Sequence, residues 1–169
     1  MSYFSYLFFP EKIDLKKASS RLINTMAYFE KNNDSIKGYL YWATGTNDLH
    51  GAYVLDSLTV APESPDEARE KFMNIWKDRD EKERERLVAE DMTRYEERVD
   101  FYENEPARWL KFFKETVPML GKAAFLITWE GSDSNTDVTK IPHESKKITD
   151  ITPEFFRTIK EDVIYEILA

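Results

Sequence analysis

The chain has 169 residues, 41% of them hydrophobic, no cysteine and a net charge of −8 at pH 7, which predicts one globular domain over residues 1–169. The absence of cysteine excludes disulfides, thiolate zinc sites and cysteine nucleophiles, and the negative charge disfavours binding to nucleic acids and anionic membranes. No segment approaches the ~20 apolar residues of a membrane span. The N-terminus lacks a basic region and a small-residue cleavage site, so we expect a cytoplasmic protein.

The first predicted element is a strand over Tyr3–Phe9, which has apolar residues at both parities and is therefore expected to lie inside a sheet. A helix follows, because apolar residues recur at three- and four-residue steps from Leu15 to Phe29. Ile36–Trp42 and Gly51–Val60 are then predicted to be the two strands of a hairpin, joined by a connection rich in turn-forming residues.

The next part of the chain, Glu63–Glu105, is strongly charged and is called the charged segment below. It holds sixteen Asp/Glu and nine Lys/Arg residues, and thus seven of the eight net negative charges. Residues 64–104 are predicted to be helical, with Ser64 as the N-cap and Glu67 completing a capping box.

Two apolar stripes in the charged segment are out of phase. One precedes Lys77 and the other follows Arg86, and at ~100° per residue they point in nearly opposite directions. We therefore predict that the helix breaks between Lys77 and Arg86, or that it projects from the rest of the domain. The side chains in this interval are expected to be largely exposed. Asp80 together with Glu83 offers a cap for a new helix after the break.

Four further elements are predicted in the remainder of the chain. They are a short helix from Asn104 to Phe113, a second interior strand over Ala123–Trp129, a short return strand over Asp137–Ile141, and a final helix opened by Thr152-Pro153-Glu154. In the final helix one apolar face is formed by Phe156, Ile159, Val163 and Ile167.

The resulting element order is β-α-β-β-α-(α)-β-(β)-α. It predicts an α+β fold with an antiparallel-rich sheet of four or five strands and helices mainly on one face. The first six main elements follow the order of ferredoxin-like folds, an analogy of element order alone, and such folds carry many functions.

The sequence points away from an enzyme. It contains no nucleophile elbow, Walker loop, dinucleotide-binding glycine motif or H-E-x-x-H motif, so we expect no catalytic residues and no cofactor. His50 and His143 are the only histidines, and His50 with Asp48 would need a third ligand to hold a metal. We therefore expect no metal site.

Aromatic residues cluster in the predicted hairpin. Tyr39, Tyr41 and Tyr53 share one parity, and Trp42 is adjacent to them. These residues fit a cross-strand core cluster, an aromatic surface that anchors a partner, or a pocket that also includes His50. Stacking on nucleic acid is disfavoured because no basic patch surrounds them.

The hypothesis that follows is a non-enzymatic, acidic protein-binding domain, such as a bacterial immunity or antitoxin-like protein that covers a basic toxin or enzyme. The expected contact residues are the acids in the part of the charged segment without apolar residues, namely Asp78, Asp80, Glu81, Glu83 and Glu85. Two alternatives remain, a small-molecule or metabolic domain with the aromatic pocket, and a phage or mobile-element inhibitor of a host factor. Self-association into a homo-oligomer is compatible with each.

Overall fold

The structure, a computed structural model, describes residues 2–11, 28–32, 37–43, 58–130 and 140–169. In this part of the chain six strands form one sheet, and two α-helices lie between the third and fourth strands. The elements are β1 (Ser2–Phe9), β2 (Tyr28–Asn32), β3 (Lys37–Ala43), α1 (Pro65–Ile75), α2 (Glu81–Leu120), β4 (Lys122–Glu130), β5 (His143–Lys147) and β6 (Ile164–Leu168).

The predicted α+β class is confirmed, but the sheet is mixed. Its order is β2-β3-β1-β4-β6-β5. Neighbouring strands are antiparallel except β5 and β6, which are parallel. Within the described residues the sheet therefore has six strands where four or five were predicted, and its topology does not confirm the ferredoxin-like analogy. β1 and β4 lie inside the sheet, as their two-sided apolar patterns predict.

The main core lies between one face of the sheet and the C-terminal half of α2. Trp109 stands at its centre, with its ring centroid 5.4 Å from that of Phe125 on β4 and 5.7 Å from that of Phe156. Leu7 and Phe9 contribute from β1. A smaller cluster on the opposite face contains Phe8, Ala124, Leu126, Ile141 and Ile164. Both faces are therefore buried at residues 7–9 of β1 and at residues 123–128 of β4, which explains the continuous apolar sequences there.

α2 is one continuous helix of 40 residues, and the predicted new helix start at Asn104 is wrong. The helix continues through Pro106 and ends at Leu120. A proline inside a helix removes one hydrogen bond and disfavours the helical conformation. Here Phe101 and Trp109 on either side of the proline are both buried in the main core, and this packing outweighs the local preference.

The predicted N-terminal helix and hairpin are also corrected in part. Tyr28 and Phe29, at the expected end of a helix, belong to β2, which pairs with β3. β3 pairs with β2 on one side and with β1 on the other, so its hairpin partner is the strand before it. Leu58 and Thr59 are helical, so the strand predicted there does not continue to Val60. Residues 12–27 and 44–57 of these predictions lie outside the described residues.

The predicted final helix is a short 3₁₀ helix, Pro153–Arg157, followed by strand β6. Phe156, Ile159 and Ile167 are buried as expected, but Asp162 has a positive φ of 54° and separates them into two elements. β6 pairs with both β4 and β5, and its β-branched residues suit a strand. Tertiary pairing therefore decides the conformation.

The predicted return strand over Asp137–Ile141 is wrong at its two described residues. Lys140 and Ile141 are not in a strand, and residues 137–139 lie outside the described part of the chain. A strand that was not predicted, β5, follows at His143–Lys147, and its five residues are all exposed. A polar strand of this kind has no apolar alternation from which it could be recognised.

Candidate functional site

α1 and the N-terminal half of α2 form a helical hairpin, which is called the charged hairpin below (residues 65–100). Both helices begin at the predicted caps. Ser64 and Glu67 form a reciprocal capping box at the start of α1. At the start of α2, the backbone amide of Glu83 donates to a carboxylate oxygen of Asp80 over 3.0 Å. Each cap satisfies backbone donors that a helix N-terminus otherwise leaves unpaired.

The predicted break in the charged segment is confirmed. α1 ends at Ile75, and α2 begins at Glu81. Between Lys77 and Arg86, all side chains are exposed except those of Glu83 and Arg84, which are half-buried. A turn thus separates the two out-of-phase stripes. Ala68 before the turn and Val88 and Tyr95 after it are buried, whereas Ile75 is exposed.

Specific polar contacts hold α1 against α2. The Trp76 indole N–H donates to a carboxylate oxygen of Asp91 over 2.7 Å, and the Tyr95 hydroxyl donates to the backbone carbonyl of Glu63 over 2.5 Å. Ala68 and Val88 are fully buried. The hairpin therefore has a tight apolar seam closed at both ends by hydrogen bonds.

Two carboxyl groups at the start of α1 have lowered pKa values. For Glu63 the main cause is a hydrogen bond from its own backbone amide, and the ion pairs with Lys71 and Arg98 add to it against the opposing effect of burial. For Glu67 the hydrogen bond from the Ser64 hydroxyl lowers the pKa most, followed by that from the Ser64 amide. The folded protein therefore stabilises the ionised form of both carboxyl groups.

The five acids expected to contact a partner lie together at the tip of the charged hairpin. Asp78 and Asp80 belong to the connection, and Glu81, Glu83 and Glu85 lie in the first turns of α2. All are exposed except Glu83, which is half-buried. Asp80 also caps α2, so it has a structural role that its place in the sequence only suggested.

The tip carries no net charge. Lys77–Arg86 contains five acids and five bases, whereas Leu87–Glu105 contains seven acids and two bases. Glu63–Trp76 contributes four acids and two bases. The acidity of the charged segment thus lies mainly along α2 beyond the tip. The five candidate acids were chosen because their stretch of the sequence lacks apolar residues, and that criterion does not detect net charge. Local charge sums would have found it.

Four of these acids share the solvent face of α2. Glu96, Glu97, Asp100 and Glu103 are spaced so that they fall on one side of the helix, and they are called the α2 acidic face. Glu96, Glu97 and Glu103 are exposed. Asp100 is partly compensated, because it lies 3.5 Å from Arg108 and accepts a hydrogen bond from Asn104.

A shallow groove of about 520 Å³ runs along the exposed side of α1. Its described walls are formed by Glu67, Glu70, Lys71, Asn74 and Ile75. Ile75 is 55% exposed. A groove so open to solvent suits contact with a protein surface better than enclosure of a small molecule.

The aromatic candidates divide between β3 and undescribed residues. Tyr39 pairs in register with Phe9, and Tyr41 pairs with Leu7. Trp42 also lies on β3, and its register partner is Tyr6. The structure thus places these three positions beside the central strand β1. Tyr53 and His50 lie outside the described residues, so the proposed pocket and surface both stay predictions.

The described residues contain no group of three or more histidine, aspartate or glutamate side chains with the geometry to hold a metal ion. His143 is the first residue of β5 and is exposed. No helix in the described part of the chain is both long enough and apolar enough to span a membrane. Comparison of the chain with protein-family models, with curated proteins and with solved structures found no match.

Proposed function

We propose that this chain is a non-enzymatic acidic binding domain of the immunity or antitoxin type, which blocks a basic toxin or enzyme by covering it with the charged hairpin. The observation that supports this most directly is the location of the charge. Seven net negative charges fall within Glu63–Glu105, and the helices that carry them are fixed by two caps and a buried seam.

Two parts of the charged segment have different roles in this proposal. The α2 acidic face attracts a basic partner over a distance of about one Debye length, ~8 Å at physiological ionic strength, and so raises the association rate. Acidic and basic residues alternate along the tip. The tip can therefore form specific ion pairs with the partner once the two proteins have met. Asp78, Glu81 and Glu85 have no ion pair among the described residues, so their carboxylates are available to a partner.

The experiment requires a partner, and the first proteins to test are basic proteins encoded beside this chain. Association is followed by stopped-flow fluorescence at low and physiological salt. Glu97→Lys is compared with Glu161→Lys, because both residues are exposed and both changes alter the net charge equally. We expect Glu97→Lys to slow association several-fold at low salt and Glu161→Lys to have a much smaller effect.

The tip is tested with Glu81→Lys and Glu85→Lys, which leave the Asp80 cap intact. We expect these changes mainly to raise the dissociation rate, since close contacts govern how long a complex lasts. Equal slowing by Glu97→Lys and Glu161→Lys would mean that total charge, not the hairpin, drives association. Wild-type kinetics in every variant would leave the acidity as a solubility feature.

An inhibitor of a host factor encoded by a phage or mobile element would use the same acidic surface. The same variants apply to it, and the identity of the captured basic protein separates the two cases.

A further inference from the structure

The packing partner of α2 changes along its length. At 1.5 Å per residue its 40 residues extend about 60 Å, roughly twice the length of the nine-residue strand β4. Its main-core residues begin at Phe101 and end at Val117. Before Phe101 its buried residues are Val88 and Tyr95, which belong to neither of the two core clusters around the sheet.

The change of partner coincides with a proline. Pro106 is buried inside α2, five residues after Phe101. Because proline has no N–H, the carbonyl of Tyr102 cannot receive the usual intrahelical bond from residue 106, and bends in helices concentrate at such positions. Pro118 also lies in α2, but it is in the last turn, where a missing bond has little effect on helix direction.

Two arginines contact the part of α2 that precedes Pro106. Arg108 lies beyond the proline and reaches back to Asp100 at 3.5 Å, while it also contacts the fully buried Glu105 at 3.0 Å. Arg157 comes from the 3₁₀ helix beside the sheet, and its guanidinium carbon lies 3.8 Å from the ring centroid of Tyr102. All these contacts oppose bending. The Arg108–Asp100 pair and the Arg157–Tyr102 contact are weak, because their groups are partly exposed, whereas the Arg108–Glu105 pair involves a fully buried carboxylate.

We propose that Pro106 is a hinge about which the charged hairpin moves as a unit relative to the sheet, with Arg108 and Arg157 as its latch. Of the α2 residues buried in the main core, only Phe101 lies on the hairpin side of Pro106, so bending there separates few core contacts. The hairpin itself stays rigid, because its seam and hydrogen bonds all lie on one side of the hinge. The motion is a property of the free protein and does not depend on the partner proposed above.

The absence of cysteine makes a direct distance measurement straightforward. Spin labels are attached at Lys82→Cys and Lys147→Cys, both exposed positions. Pulsed electron–electron double resonance then reports the distance between the hairpin and the sheet. Labels on Glu70→Cys and Glu97→Cys report the distance between α1 and α2 inside the hairpin. We expect the hairpin–sheet distribution to be about twofold wider than the control distribution.

The hinge is tested by restoring the missing bond. Pro106→Ala supplies the N–H and a better helix former, so we expect it to narrow the hairpin–sheet distribution to the control width. Arg108→Gln and Arg157→Gln each remove a latch and should widen it, with the control distribution unchanged.

A hairpin–sheet distribution as narrow as the control in the wild type would overturn the proposal. So would an unchanged width after Pro106→Ala in a protein that keeps its circular dichroism spectrum. If Pro106→Ala unfolds because its smaller side chain leaves a cavity, the latch variants decide, and failure of both to widen the distribution refutes the hinge.

Discussion

Replacing Asp80 with alanine should destabilise the charged hairpin through loss of a helix cap. The Asp80 carboxylate accepts the Glu83 amide over 3.0 Å, and the Asp80 carbonyl accepts the first intrahelical bond from Arg84 over 2.9 Å. Alanine keeps the second bond and loses the first. Loss of such a cap costs about 1 kcal/mol, within a range of roughly 0.5–2 kcal/mol. For a chain of this size that corresponds to a fall of about 2–4 °C in melting temperature.

Asp78→Ala is the matched control for this change. It removes the same charge from an exposed position two residues away, where no capping bond is lost, so we expect an effect within about 0.5 kcal/mol. Asp80→Asn keeps a capping oxygen and should stay close to the wild type. Urea unfolding followed by circular dichroism at 222 nm measures all three variants. Equal stability of Asp80→Ala and Asp78→Ala would refute the capping argument and leave Asp80 free for partner contact.

Three further predictions concern the seam, the core and acid. Trp76→Phe removes the indole donor to the half-buried Asp91 carboxylate and should cost about 1–3 kcal/mol in urea unfolding, with little further loss when Asp91→Asn is added. Phe156→Ala should cost about 3–5 kcal/mol, because its ring is fully buried, whereas Phe155→Ala, which is only partly buried, should cost less. The lowered pKa of Glu63 contributes stability above the ordinary value of 4.5, and this contribution is lost as pH falls through the lowered pKa. Glu63→Gln should therefore destabilise at pH 7 and reduce the loss of stability on acidification to pH 3.

The sequence predicted the structure best where a local rule had no competitor. The Ser64 and Asp80 caps depend on residues three positions apart, so both helix starts were readable from the chain. The interior positions of β1 and β4 followed from apolar residues at both parities, a pattern typical of a strand buried on both faces.

The errors arose where distant parts of the chain decide the conformation. Ile164–Leu168 continues a helical apolar pattern, yet it pairs with β4 and β5 and forms a strand. His143–Lys147 is held by the same pairing and has no apolar residue to mark it. At Pro106 the local signal for a helix boundary is real, but the main core holds the helix together across it.

The same residue also divides the charge of the chain. Up to Glu105 the charged segment holds seven net negative charges, whereas residues 106–169 contain ten acids and nine bases. The division has a physical basis, because a helix whose partner is one other helix leaves most of its surface in water, where carboxylates keep their hydration. A helix packed on a sheet has less solvent-exposed surface on which hydrated carboxylates can lie. Since charge, packing and the missing hydrogen bond all change within a few residues of Pro106, the hairpin and the sheet have separate requirements, and substitutions on the α2 acidic face should alter binding without altering the core.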